Sequence, residues 1–290
     1  MQLLSGKLYS KFSTKWTYLG LFGIFELGSL LCGVATSSKM LIVGRAVAGM
    51  GGAGLVNGAM TIIGTTVPRH KQPAIIGTLI GIAEMGVVVG PIIGGAFTTH
   101  VTWRWCFYVN LPIGAVLAVY LCFVPIPDQI VKPSPREVLA NPVRELDLVG
   151  FLLFSAAAVM LLIPLESGGH QYAWNSSVVI GLFCGSAAVT VLWVFWNRRQ
   201  GEAALVPMSM ATRRVVWACA LTALFVNVTQ IITPYYLPIY FQAAKNATAL
   251  ESGVDLLPTI LGQLFTAVLG GVLSMYDCIP TLFSSYPNSE

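Results

Sequence analysis

The chain has 290 residues, of which 56% are hydrophobic and 10% charged, and its mean hydropathy is +0.76. A soluble domain carries about 25% charged residues, and one of this length could not bury so much apolar surface, so an ordinary soluble fold is excluded. The net charge of +4 therefore bears on placement in a bilayer, and no basic–aromatic patch outside the apolar runs suggests nucleic acid.

Residues 1–15 are polar and basic without an apolar core, unlike a cleavable signal peptide. The first apolar run must then direct insertion itself. Crossing the hydrocarbon core takes about 20 apolar residues in a helix. Runs that qualify or nearly do lie at 17–36, 40–66, 74–98, 105–125, 148–165, 177–196, 215–241 and 254–275. The expected fold class is an all-α polytopic transmembrane bundle. Long alternation of polar and apolar residues is absent, which argues against a β-barrel. Pro234 and Pro238 predict a kinked or unwound end to the 215–241 run. The proline-rich segment 126–147 reads as a linker between bundles over 1–125 and 148–290.

Lys and Arg accumulate on the cytoplasmic side of membrane proteins. Lys7, Lys11, Lys15, Arg69, Lys71, Lys132, Arg136, Arg144, Arg198, Arg199, Arg213 and Arg214 fall on one side of the alternating spans. Lys39, Arg104 and Lys245 fall on the other. This asymmetry places the N-terminus in the cytoplasm. The sequons at Asn175 and Asn246 then lie in outside loops, as glycosylation requires. A third, at Asn227, lies within a span.

Charges within the runs carry the most functional information. An arginine at mid-membrane costs at least about 2.5–3.5 kcal/mol and faces a cavity or a partner. Arg45 either does this or snorkels to the nearby headgroups. Glu26 and Glu84 sit mid-run. Each is open to two readings: a proton-accepting carboxylate, or a fixed structural charge that pairs with Arg45 or faces the cytoplasm. Gly86, Gly90 and Gly94 recur every fourth residue, a face suited to close helix packing, and Pro91 within it predicts a bend. Gly44, Gly49, Gly51, Gly52, Gly54 and Gly58 mark the second run likewise.

The six cysteines form no C-x-x-C pair and read as buried small hydrophobes. His70, His100 and His170 are scattered among loops, which disfavours an intramembrane metal enzyme; no metal or other cofactor is expected. No G-x-x-x-x-G-K-[ST] loop exists, so the chain carries no ATP site of that kind. Ser167-Gly168-Gly169 reads as a turn.

The stretch Gly86-Val-Val-Val-Gly90-Pro91-Ile-Ile-Gly94-Gly95 resembles the antiporter motif of the major facilitator superfamily. Leu41-x-x-x-Arg45-x-x-x-Gly49-x-Gly51 resembles its fourth-span motif, and Trp103 to Gly114 the start of its sixth span. Tyr235 to Gln242, with Ser252-Gly253 and Leu257-Pro258, is similar to the fourteen-span drug:proton antiporters, fungal toxin and drug pumps above all. Gly6, Leu8 and Lys11 match the cytoplasmic-loop motif, which has Asp where Ser10 stands and Gly where Ser13 stands.

The resemblance implies proton-coupled efflux of drugs, toxins or secondary metabolites, with the bilayer, a small organic substrate and protons as partners. It implies that Arg45 couples protons, with Glu26 or Glu84 as carboxylate partner. Gly86, Gly90, Pro91, Gly94 and Gly95 would then form a bend that controls leak and direction. Asn227, Gln230 and Tyr235, polar or amphipathic within a span, are expected to line a cavity. The spans within 148–197 are expected to be the two extra central spans of that branch. Residues 198–275 would begin a second bundle, and 276–290 form a divergent tail. The match starts after the family's second span, so two spans are expected to be missing before it and about four after it. A second reading therefore stands: a short membrane protein that transports nothing and at most associates with full-length relatives.

Overall fold

The computed structural model describes residues 1–126, 128, 132, 138, 141–245, 255–256, 258–259, 261–266 and 269. The helices are α1 (Gln2–Lys11), α2 (Thr14–Gly33), α3 (Ser38–Thr66), α4 (Gln72–His100), α5 (Trp105–Tyr108), α6 (Asn110–Phe123), α7 (Pro142–Glu145), α8 (Leu148–Ser167), α9 (Ser177–Gln200), α10 (Met208–Ala211) and α11 (Arg214–Lys245). No strand occurs among the described residues. The chain is an all-α polytopic bundle. Among the described residues, six helical stretches are long and apolar enough to cross a membrane: Thr14–Gly33, Ser38–Thr66, Trp105–Phe123, Leu148–Ser167, Ser177–Ala203 and Arg214–Lys245. The third run, 74–98, lies within the 29-residue α4. Half of the eighth run, the 276–290 tail and Asn246 lie outside the described residues.

Side-chain caps fix several helix starts, because the first N–H groups of a helix have no internal acceptor. The Ser37 hydroxyl accepts from the Met40 N–H at 3.2 Å at the start of α3. Ser176 does the same for Val179 at the start of α9. Ser167-Gly168-Gly169 forms the predicted turn, with Gly169 at φ +80° beside the Trp174 indole.

Compact packing divides the chain into two units. One comprises Met1–Phe12 and Val131–Leu224. In it α8 packs on α9, and the Ser186 hydroxyl donates to the Ala157 carbonyl at 2.9 Å. The other comprises Ser13–Ile130 and Phe225–Glu290.

In this second unit α2 and α3 run antiparallel in close contact. Buried Thr14, Leu21 and Gly28 of α2 are spaced by seven residues, as are buried Gly44, Gly51 and Gly58 of α3. A Cβ on Gly28 would meet the Ala48 Cα at 2.5 Å, and one on Gly51 the Leu21 carbonyl oxygen at 2.7 Å. Cys32 lies against Gly44, and Leu21 against Gly54. These glycines let two backbones approach as Cβ atoms would not allow.

Three expectations need correction. Of the two alternatives for the end of the 215–241 run, kinked or unwound, unwinding is overturned: α11 is one helix from Arg214 to Lys245. Each proline forfeits one backbone bond while the flanking turns keep theirs. The cysteines are not uniformly buried. Cys32 is, but Cys122, Cys184 and Cys219 are exposed, since the outer face of a spanning helix tolerates a small apolar side chain as well as its interior does. Lastly, Gly86, Gly90 and Gly95 are not packed against another helix among the described residues. Nothing lies within 4 Å of the Cβ position of any of them, and α4 instead meets α5, where Cys106 Sγ lies 3.9 Å from the Cβ position of Gly94.

Candidate functional site

A second seam joins α2 to the helical stretch α5–α6. At one end Gly33 admits the Tyr108 ring, whose Cδ1 lies 2.6 Å from where a Cβ would be. One turn along, the Asn110 amide donates to the buried Ser29 hydroxyl at 3.4 Å. A further turn along, the Glu26 carboxylate rests on Gly114 of α6. At the other end the Lys15 ammonium donates to the Cys122 carbonyl at 2.7 Å. There Asp128 accepts both the Thr14 N–H, at 3.1 Å, and its hydroxyl, at 2.6 Å. The carboxylate meets a helix N-terminus and the ammonium a helix C-terminus, so both complement the helix dipoles.

Glu26 lies twelve residues beyond Thr14, about 18 Å along a helix of about 30 Å. Its carboxylate is thus near mid-depth. It is half-buried, and its Oε2 is enclosed without a hydrogen-bond partner among the described residues. An unpaired carboxyl oxygen in such a place is costly.

The structure does not bring Arg45 and Glu26 into an ion pair. Arg45 is exposed on α3. The α2–α3 register (Leu21 with Gly54, Gly28 with Ala48, Cys32 with Gly44) sets it opposite Leu31, about 7.5 Å along the axis from the level of Glu26. Glu84 and Pro91 lie on α4, which is helical through both, but their side chains are outside those described. Asn227 and Tyr235 are exposed on α11 and Gln230 is half-buried. Asn175 is exposed in the turn before α9.

Gly6, Leu8 and Lys11 lie on α1. Lys11 pairs with Glu145 at 2.6 Å. That hydrogen bond and charge hold the Glu145 carboxyl below its ordinary pKa. Lys7 donates to the Ala203 carbonyl at 3.2 Å. Burial pushes its ammonium below the ordinary lysine value, against the attraction of Asp147.

Sequence reasoning missed two elements here. Asp147 is fully buried and gathers three donors: the Gly150 N–H at 3.1 Å, the Trp196 indole N–H at 2.8 Å and the Leu205 N–H at 2.7 Å. An acidic residue directly before an apolar run is a helix-cap signal that could have found its role on α8, though not its two distant partners. The other is Arg104, whose guanidinium donates to the Ala35 carbonyl at 2.8 Å and lies 5.3 Å from the Trp103 ring centre. Trp103 and Arg104 line a cavity of about 260 Å³ with Ala35, Thr36, Ser37, Ser38 and Leu41. No group of His, Cys, Asp and Glu able to hold a metal occurs among the described residues.

Comparison with known proteins adds to this geometry. The model of the family described as Major Facilitator Superfamily matches residues 1–286. The MFS-type transporter pigP of Monascus ruber is 56% identical over 270 residues, covering 93% of this chain and 47% of that protein. The MFS-type transporter calB of Penicillium decumbens is 52% identical, covering 94% and 49%. The efflux pump mlcE of Penicillium citrinum is 50% identical, covering 93% and 50%. The chain thus spans about half the length of these relatives.

Proposed function

This chain belongs to the Major Facilitator Superfamily, and on that premise we propose that it serves proton-coupled efflux of small organic molecules. It is an integral multi-pass membrane protein; the plasma membrane and a cytoplasmic N-terminus are part of the proposal. The class of cargo is drugs, toxins or secondary metabolites. The observation that carries efflux is the 50% identity to a named efflux pump across 93% of the chain.

Proton coupling rests on Glu26, whose carboxylate has an unpartnered oxygen near mid-depth. Arg45 on the exposed face of α3 acts with it through the field in the span, and Glu84 is the alternative carboxylate. Gly86, Gly90, Pro91, Gly94 and Gly95 of α4 form a bend that controls leak and direction, and nothing lies within 4 Å of the Cβ position of Gly86, Gly90 or Gly95. Asn227, Gln230 and Tyr235 of α11 supply polar contacts to cargo. Asn175, exposed in a turn, is a glycan acceptor.

One other reading is a membrane protein that transports nothing by itself and at most associates with full-length relatives. The two are separated by expressing the chain in transporter-deficient yeast and measuring accumulation of a panel of lipophilic fluorescent dyes with and without a protonophore. Lower accumulation that the protonophore abolishes supports efflux. Unchanged accumulation, with the chain inserted in the membrane, supports the second reading.

A further inference from the structure

We infer that Gly114 is the positioning residue of a proton-binding seat on Glu26, formed where α2 crosses α6. This rests on the proton-coupled reading above and deepens it.

The close approach is specific. A Cβ on Gly114 would lie against the Glu26 carboxylate, with Cδ at 2.5 Å and Oε2 at 3.1 Å. The neighbouring rung, Asn110 on Ser29, holds the two helices in this register at 3.4 Å. Few charges compete with the seat. α6 carries Tyr120 and Cys122 as its titratable groups, and α5 carries Cys106 and Tyr108. On α2 the titratable groups besides Glu26 are Lys15, Tyr18 and Cys32, and Lys15 is held by the Cys122 carbonyl. Lys39 and Arg45 are the charges of α3, and neither pairs with Glu26 among the described residues. Protonation of Glu26 thus depends on the enclosure that Gly114 makes possible. The glycines at 28 and 51 differ in kind, since a Cβ there meets backbone. At 114 it meets the end of a flexible side chain, so alanine is tolerated by turning the carboxylate out of its seat.

The test is infrared titration of the chain in liposomes, following the protonated-carboxyl band. Glu26→Gln should remove one band. Gly114→Ala should keep that band and move its midpoint by about one pH unit, tenfold in proton affinity. Gly23→Ala, on α2 with nothing within 4 Å, should leave the midpoint in place. An unmoved midpoint in Gly114→Ala overturns the inference. So does a spectrum that Glu26→Gln leaves unchanged. Thermal unfolding gives an independent reading: Gly114→Ala should lower the midpoint in the parent chain but not in a Glu26→Ala background, and equal lowering in both removes the contact. None of these readouts needs transport. A chain that titrates at the seat but exports nothing keeps this inference and loses the efflux reading.

Discussion

The Asp147 carboxylate accepts the indole N–H of Trp196 at 2.8 Å, joining the first turn of α8 to the last turns of α9. The same carboxylate caps α8 through Gly150 and accepts the Leu205 N–H. Its backbone stands at φ 48°, ψ 53°, a left-handed conformation that Asp tolerates better than most residues. Gly150 is part of the arrangement, because a Cβ there would lie on the Asp147 carboxylate, with Cγ at 2.8 Å.

Asp147→Ala orphans two buried backbone N–H groups, each costing about 1–3 kcal/mol, and the half-buried Trp196 indole N–H, and adds left-handed strain of about 1–2 kcal/mol. Trp196→Phe removes one donor and should cost about 1 kcal/mol. Thermal unfolding in detergent should rank parent, Trp196→Phe and Asp147→Ala in falling order. Equal midpoints for the two variants would show that the carboxylate is not a shared hub.

The α2–α3 seam predicts a contrast between neighbouring glycines. Gly51→Ala drives a methyl into the Leu21 carbonyl and should cost about 1–3 kcal/mol, whereas Gly49 has nothing within 4 Å. Gly49→Ala should be neutral or slightly stabilising through helix propensity. The measurement is the difference in thermal midpoint, and similar losses at both positions would contradict the packing.

Arg104 donates to the Ala35 carbonyl in the loop after α2 and lies over the Trp103 ring. Arg104→Lys keeps the charge but loses that geometry. It should destabilise by about 1 kcal/mol, as a lost charge-assisted bond does. Amide exchange at residues 30–36 should rise in the variant. Unchanged protection there would mean that the lysine replaces the guanidinium fully.

The Lys11–Glu145 pair should respond to acid. Its folded carboxyl titrates below the ordinary value, so its contribution is complete above the unfolded glutamate value of about 4.3. The contribution is lost as pH falls through the lower, folded value. Amide exchange in α1 should therefore separate Glu145→Gln from parent at pH 7, and the two should converge once the pH has fallen below that folded value. A difference that persists in acid would assign the effect to shape and not to charge.

Span positions were legible because bilayer crossing imposes length and apolarity on each segment directly. Thr14–Gly33 and Leu148–Ser167 fall within a few residues of the runs read from sequence. Which face of a span meets which neighbour was not legible, because apolar residues cover every side of such a helix. Glu26 stood out as a charge in an apolar run. Gly114 did not, since its meaning comes from a helix about ninety residues away. Gly44, Gly51, Gly54 and Gly58 were noted as a cluster, but only the structure separates them from Gly49.

The seven-residue interval along both α2 and α3 reaches beyond packing. An undistorted helix drifts by about 20° over each such interval, so a seam that keeps this interval winds with a left-handed sense. Substitution tolerance across residues 14–58, scored position by position in a library, should accordingly rise and fall with a beat of seven. In any homologue where that beat changes to eleven, the two helices must cross with the opposite hand.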